Sequence, residues 1–452
     1  MTQSHATTAL LPEGWAMDVL VEIVDGRITK VTTGVAAQGQ RVDCLLAAPV
    51  NLHSHTFQRA MAGLTERRGS GQDSFWTWRT LMYRFLDQLT PDDVQAIAAM
   101  VMVEMAEAGF SAVAEFHYLH HAPGGARYDD LAEMSGRIAA AAVETGLGLT
   151  HLPVLYERGG CDNRALTAGQ LRFGNHPEQF LALWQAAQNS LKSLPADAVL
   201  GVAPHSLRAA SQQGLDMAAL LDPRAPIHIH VAEQVAEVTE VLAATGQRPV
   251  DWLLGHHDVN PRWCLIHATQ MTPEETLALA RSGAVAGLCP ITEANLGDGI
   301  FDGQRFLQAG GRFGIGSDSN VRISLSEELR LLEYSQRLAM KGRAIMATET
   351  QSCGRVLYAA AVQGGAQAAG RTSGAIAPGL WGDLLALDQS HPDVAGAVGD
   401  TILDTFIFAR DDRMVQALWS AGRPLVTDGR HYNRDAVTRA YAATVARLRG
   451  AL

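Results

Sequence analysis

A chain of 452 residues, 47% hydrophobic and 18% charged, holds enough apolar material for one large barrel of about 250–400 residues plus a smaller module, and too few charges for long disordered tails. The formal net charge of -11 argues against a nucleic-acid or polyanion surface, while two or three local arginines would suffice for a small anionic substrate. No basic n-region precedes an apolar h-region at the start, and Glu104 and Glu107 interrupt the apolar run over residues 96–108, so neither a signal peptide nor a membrane span is expected.

The opening stretch DVLVEIVDGRITKV alternates apolar and polar residues on both sides of Asp25-Gly26, a hairpin signal. The same texture returns late, in GLWGDLLALD and MVQALWSAGRPLVTDGR. The economical expectation is one small β-sandwich-like domain built from both chain ends, residues 1–49 and 371–452, the second part closing in a terminal helix, RDAVTRAYAATVARLRG. Cys44, Cys161, Cys264, Cys289 and Cys353 are odd in number and form no CxxC pair, which disfavours a disulfide framework or a cysteine zinc site and suits a cytoplasmic protein.

Residues 50–370 read as strand–loop–helix units. The apolar runs are LLAAPVNLHSH, SAVAEFHYL, LGLTHLPVLYE, AVLGVAPHSL, PIHIHVAE, WCLIHATQ, AVAGLCPITEAN and RFGIGSDSN. Between them lie helical patterns such as PDDVQAIAAMVMVEMAEAG, with Thr90 as N-cap, Pro91 in the first turn and Gly109 as stop; TPEETLALARSG repeats these signals with Thr272, Pro273 and Gly283. The alternation predicts an α/β fold, a (β/α)8 TIM-like barrel, against the alternative of a doubly wound open sheet. Polar residues favour the barrel, because in nearly every unit they fall at the C-terminal end of the strand, where barrel active sites form.

His53 and His55 share one face of the first strand, because alternate residues on a strand point the same way. The fifth unit adds His228, His230 and Glu233, the sixth His267 and the eighth Asp318. An HxH pair alone is a weak signal; N and O donors at four strand ends suit zinc with an open position for water.

These residues resemble the mononuclear deaminase branch of the amidohydrolase superfamily, over nearly the whole chain. By that resemblance His53, His55, His230 and Asp318 bind one metal, Glu233 shuttles protons, and His267 polarises or positions the attacked group. Asp318 also takes the proton of the attacking water, and His228 is a deeper supporting or core residue. Zinc is the expected metal, one per chain, with Fe²⁺ or Mn²⁺ left open. The only lysines, Lys30, Lys192 and Lys341, lie at no barrel strand end, which disfavours a binuclear centre bridged by a modified lysine. Relatives are often dimers, so a homodimer is a candidate assembly.

Longer strings narrow the resemblance. NLHSHTFQRAMAGL, SFWTWR, AEFHYLHH, APHSLRA, HIHVAEQ and CPITEANLGDG together look like the formimidoylglutamate deiminases of histidine degradation, which turn N-formimidoyl-L-glutamate into N-formyl-L-glutamate and ammonia. Such a substrate carries two carboxylates, and the forked donors of arginine suit them. Arg79 and Arg208 are the expected clamps, with Gln58, Tyr118 and His205 as further substrate-binding residues, while Trp76 and Trp78 pack their loop. Asn320 departs from the SDSH string usual in the family. The rival readings are a related deaminase of guanine, another purine, cytosine or a triazine, and an inactive barrel scaffold.

Overall fold

A computed structural model describes residues 2–66 and 82–450. At the start, β1 (Thr2–Leu11), β2 (Gly14–Val24), β3 (Arg27–Thr32) and β4 (Gln40–Ala47) form part of a mixed sheet. The β2–β3 turn is Asp25-Gly26, both at positive φ (49° and 79°), the geometry a two-residue hairpin needs to match strand twist.

The chain then enters the barrel. Its strands are β5 (Val50–Ser54), β6 (Ala112–His117), β7 (Gly148–Leu155), the short β8 (Val199–Leu200) and β9 (Ala203–Pro204), β10 (Ile227–Val231), β11 (Trp263–His267), β12 (Val285–Leu288) and β13 (Arg312–Ile315). Parallel pairing runs from β5 through β8, and again from β10 through β13. Bridges between Val202 and Ile227, Ser206 and His230, and Ser54 and Asp318 join the two arcs into a closed ring. Every residue of β5, β6, β7, β10, β11 and β12 is buried, as parallel strands covered on both faces must be.

The fourth run, read as one strand, is two short ones. The break falls at Gly201, where an added Cβ would stand 2.8 Å from the Pro226 carbonyl, and Pro204 brings no N–H to the ladder. Two barrel helices start as the sequence indicates. Thr90 and Asp93 form a capping box before Pro91–Glu107, and Thr272 and Glu275 another before Pro273–Ser282, which ends at left-handed Gly283.

After the barrel, β14 (Leu384–Leu387), β15 (Val415–Ser420), β16 (Arg423–Thr427) and β17 (Arg430–His431) complete an eight-stranded sheet in the order β17-β16-β15-β14-β4-β1-β2-β3. The terminal helix is Arg434–Gly450. A buried ion network fastens sheet to barrel. Arg371 bonds Asp383 at 2.6 and 2.8 Å and lies 2.8 Å from Asp197, which Arg423 grips at 2.7 and 2.8 Å. Burial works to raise the Asp197 carboxyl, but Arg423 and Arg371 outweigh it and hold it at about 2.

Candidate active site

At the C-terminal mouth of the ring, His53 and His55 project from β5, His230 from β10, and Asp318 from the turn after β13. One donor atom from each of the four lies within 4.8 Å of all the others. Asp318 Oδ1 is 3.4 Å from His53 Nε2 and 3.3 Å from His55 Nε2, and the Nε2 atoms of His53 and His230 are 3.2 Å apart.

The chemistry of this donor set fits a metal ion. His55 Nδ1 lies 2.9 Å from the Phe116 carbonyl and His230 Nδ1 3.1 Å from that of His205. A carbonyl can only accept, so both Nδ1 atoms carry the proton and both Nε2 lone pairs face the cradle. Burial first, and then the neighbouring imidazoles, push the His53 and His230 rings well below the usual histidine range; burial also lowers His55. Neutral imidazoles whose lone pairs meet a carboxylate call for a cation between them.

The backbone around Asp318 is stitched to β5. Asp318 N donates to His53 O and Asp318 O accepts from His55 N, both at 2.9 Å, and Asp318 stands at φ 46°, uncommon for a residue with a Cβ. Behind this stitch, Asn51 Nδ2 donates to Ser317 Oγ at 2.7 Å, Ser317 Oγ to Asn320 Oδ1 at 2.6 Å, and Asn320 Nδ2 to Ser54 Oγ at 3.1 Å. Asn320, the departure from the family string, is thus a latch that needs a donor and an acceptor at once, which an amide supplies.

His267 ends β11 at φ 68°. Its Nε2 is 3.9 Å from Glu233 Oε1 and 4.0 Å from Asp318 Oδ2, and its Nδ1 is 3.3 Å from Glu293 Oε1. Burial works against its charge, yet Glu233, the Glu293 hydrogen bond and Asp318 prevail and raise it to about 10. Burial pushes the Glu233 carboxyl up; His267 pulls against that, and Asp318 and Glu237 reinforce it. Asp318 therefore shows one oxygen to the imidazole cradle and the other to His267. Glu293, which also accepts from Cys289 N at 3.0 Å, escaped the reading of the sequence although it stands in the CPITEAN string.

The pocket over these groups is lined by Gln58, Tyr118, Tyr156, Phe173, His205 and Arg208, so four of the five expected substrate-binding residues come together. The fifth, Arg79, lies outside the described residues, as do Trp76 and Trp78. Gln58 donates from its amide nitrogen to Tyr118 Oη at 2.7 Å, and its unbonded buried atom is the acceptor Oε1. Two further arginines line the rim, both already engaged. Arg158 donates to the carbonyls of Leu207 and Ala210 at 3.1 and 3.0 Å, and Arg164 binds Asp162 and Glu240 at 3.1 and 2.9 Å. Arg208, only 9% exposed, forms no hydrogen bond or ion pair with any described residue, and its Nε is buried and unpaired. Burial works against its charge, but Glu237 and then Glu233 more than offset this.

Residues 44–425 match the amidohydrolase family. The chain belongs to that family. Residues 1–41 of this amidohydrolase match the N-terminal domain of formimidoylglutamate deiminase HutF. A formimidoylglutamate deiminase of Pseudomonas aeruginosa is 48% identical, covering 99% of this chain and 100% of that protein. A 5-methylthioadenosine/S-adenosylhomocysteine deaminase of Natronomonas pharaonis is 26% identical over 83% of this chain and 80% of its own length. Among solved structures, an amidohydrolase from Brucella melitensis superposes with a TM-score of 0.96 at 49% identity, covering 99% of this chain and 100% of that one. An adenosine deaminase from Xanthomonas campestris with bound zinc reaches a TM-score of 0.83 at 20% identity over 99% of this chain and 98% of that one, a likeness of fold. This amidohydrolase is a hydrolase acting on carbon–nitrogen bonds, with a His/His/His/Asp metal site. Among the described residues no helix is long and apolar enough to cross a membrane.

Proposed function

We propose that the chain is a zinc-dependent formimidoylglutamate deiminase, hydrolysing N-formimidoyl-L-glutamate to N-formyl-L-glutamate and ammonia in histidine degradation. One observation carries this reading: Arg208 brings a buried guanidinium, with no hydrogen-bond or ion-pair partner among the described residues, to a pocket whose floor holds the metal cradle, Glu233 and His267. A guanidinium at that depth calls for an anion, and a carboxylate of the substrate matches its fork. A neutral heterocycle would leave it unpaired. The relative at 48% identity supports the same substrate.

His53, His55, His230 and Asp318 would hold the metal, one ion per chain; three imidazoles and a carboxylate favour zinc, and Fe²⁺ or Mn²⁺ accept the same donors. When bound, the metal lowers the pKa of water and so supplies a nucleophile near neutral pH. The residues of the chain do the rest. The Asp318 oxygen turned towards His267 accepts a proton from the attacking water. His267, held by Glu293, steadies charge that builds at the attacked amidine carbon's substituents. Glu233 carries protons to the terminal imino nitrogen, whose bond to carbon breaks as the new carbon–oxygen bond becomes a carbonyl. Both protons of the water end on ammonia. Arg208 and Arg79 would each take one carboxylate, with His205 and Tyr118 lining the same pocket as Arg208. The five cysteines are all free, which supports a cytoplasmic setting.

The test is steady-state ammonia release by metal-quantified protein. Formimidoyl-L-glutamate should be turned over well ahead of guanine, cytosine, adenosine and a triazine. Preference for any of these heterocycles would refute the assignment.

A further inference from the structure

Glu237 takes no part in the chemistry above, yet it is fully buried beside it. It lies in the first turn of the helix Val235–Thr245, whose N-cap, Gln234, makes no side-chain cap. A glutamate three residues into a helix commonly bonds the N-cap amide. The Glu237 carboxylate reaches further back: Oε1 accepts from Ala232 N at 3.1 Å and Oε2 from Glu233 N at 3.0 Å. Ala232 stands at φ 52°, a conformation that a residue with a Cβ holds only when its surroundings impose it. Those two amides begin the turn that swings Glu233 from the end of β10 over the pocket.

The second observation concerns charge. Arg208 has no ion-pair partner within contact distance among the described residues, and Glu237 is the strongest of the carboxylates that stabilise it. Glu237 therefore faces two functional groups, the backbone of the acid–base residue by hydrogen bonds and the anion-binding guanidinium by its field.

We propose that Glu237 is a positioning residue that sets the place of Glu233 and tempers the grip of Arg208 on the carboxylate of substrate and product; this rests on the deiminase reading above. The two roles have opposite kinetic signs. Losing the bonds to the Ala232 and Glu233 amides displaces Glu233 and lowers kcat. Losing the negative charge leaves Arg208 less offset, so a substrate carboxylate binds more tightly and KM falls. A glutamate that only supported the fold would lower kcat and weaken binding together.

The experiment compares Glu237→Gln and Glu237→Asp with the unaltered enzyme at equal metal content. Glu237→Gln removes the charge and sets an NH₂ against one amide N–H. It should lose roughly tenfold to a hundredfold in kcat. Its KM for formimidoylglutamate should fall several-fold, and calorimetry should show tighter binding of N-formyl-L-glutamate. Glu237→Asp keeps the charge but is one methylene too short to reach the amides, so kcat should fall with KM unchanged. Adding Arg208→Ala to Glu237→Gln should abolish the KM effect and keep the kcat effect. A Glu237→Gln enzyme within about twofold of the original kcat, or with KM unchanged or raised, would overturn the proposal. So would loss of metal or of the folded signal in both variants. Failure of the unaltered enzyme to release ammonia from formimidoylglutamate would instead overturn the deiminase reading.

Discussion

Arg208→Ala tests the substrate assignment most directly. The guanidinium is buried without a contact partner among the described residues, so a bound carboxylate gains up to two charge-assisted hydrogen bonds at about 1.5–3 kcal/mol each. Truncation leaves that carboxylate desolvated and poorly paired. The general cost is on the order of 2–5 kcal/mol, or roughly 30- to 5,000-fold. The surroundings place this case in the upper part of that range. The two carboxylates that most stabilise Arg208 are Glu237 and Glu233, and with the cation gone both repel the substrate anion. We expect a loss of about 10³-fold in kcat/KM, equivalent to about 4 kcal/mol. Arg208→Lys keeps a charge without the planar fork and should recover only part of it. The assay is ammonia release from formimidoylglutamate and from a formimidoyl amine with no carboxylate. The amine should be a poor substrate for the unaltered enzyme and scarcely poorer for the variant. A variant within about threefold of the original on formimidoylglutamate, or equal losses on both compounds, would refute the carboxylate contact.

Glu233→Gln should keep its metal and lose roughly 10²-fold or more in kcat; normal turnover by metal-loaded variant would remove Glu233 from proton transfer. His230→Ala should lose both metal and activity by elemental analysis and assay, and the unaltered protein should hold one equivalent of metal, not two. Asn320→Ala removes the acceptor of the Ser317 hydroxyl and the donor to the Ser54 hydroxyl in a buried latch, so calorimetry should show a lower Tm, for a loss of about 1–3 kcal/mol; an unchanged Tm would count against the latch. Asp197 is depressed from 3.8 to about 2 in the folded protein, so its contribution, on the order of 2 kcal/mol, is complete above pH of about 4 and is lost as pH falls through about 2. The advantage of the unaltered protein over Asp197→Asn in urea midpoints should therefore be flat from neutral pH down to about pH 5 and shrink below about pH 4; growth of that advantage in acid would contradict the sign.

The parts legible in the sequence were those set by local periodicity. A period of two put His53 and His55 on one face, Thr90-Pro91 and Thr272-Pro273 announced helices, and Asp25-Gly26 announced a turn. The hidden parts depend on what meets across the ring. Glu293 reads as an ordinary helical acid until the fold sets it against His267, 26 residues earlier. Glu237 reads as a first-turn acid that favours a helix start. Arg158 and Arg208 are indistinguishable as letters; only the fold commits the first to backbone carbonyls and leaves the second unengaged by any described residue. Left-handed backbone at His267 and Asp318 has no sequence signal, because no glycine marks it.

The stitch between β5 and the turn after β13 has a consequence for how the enzyme comes into being. The earliest metal ligand, His53, is made near the start of the barrel, and Asp318 follows only when the last barrel strand has been made. A nascent chain can therefore offer an incomplete set of donors, with little reason to retain a metal in preference to free thiols or chelators. Metal uptake becomes a proofreading step, possible only for a barrel whose first and last strands have met. The same seam governs the end of the molecule's life. Parting β5 from β13 dismantles the donor set in one motion, so a captured ion resists opening by its whole binding free energy. Metal release and the first rupture of the barrel should share one rate, and depleting cells of metal should shorten the lifetime of the protein before it merely lowers activity.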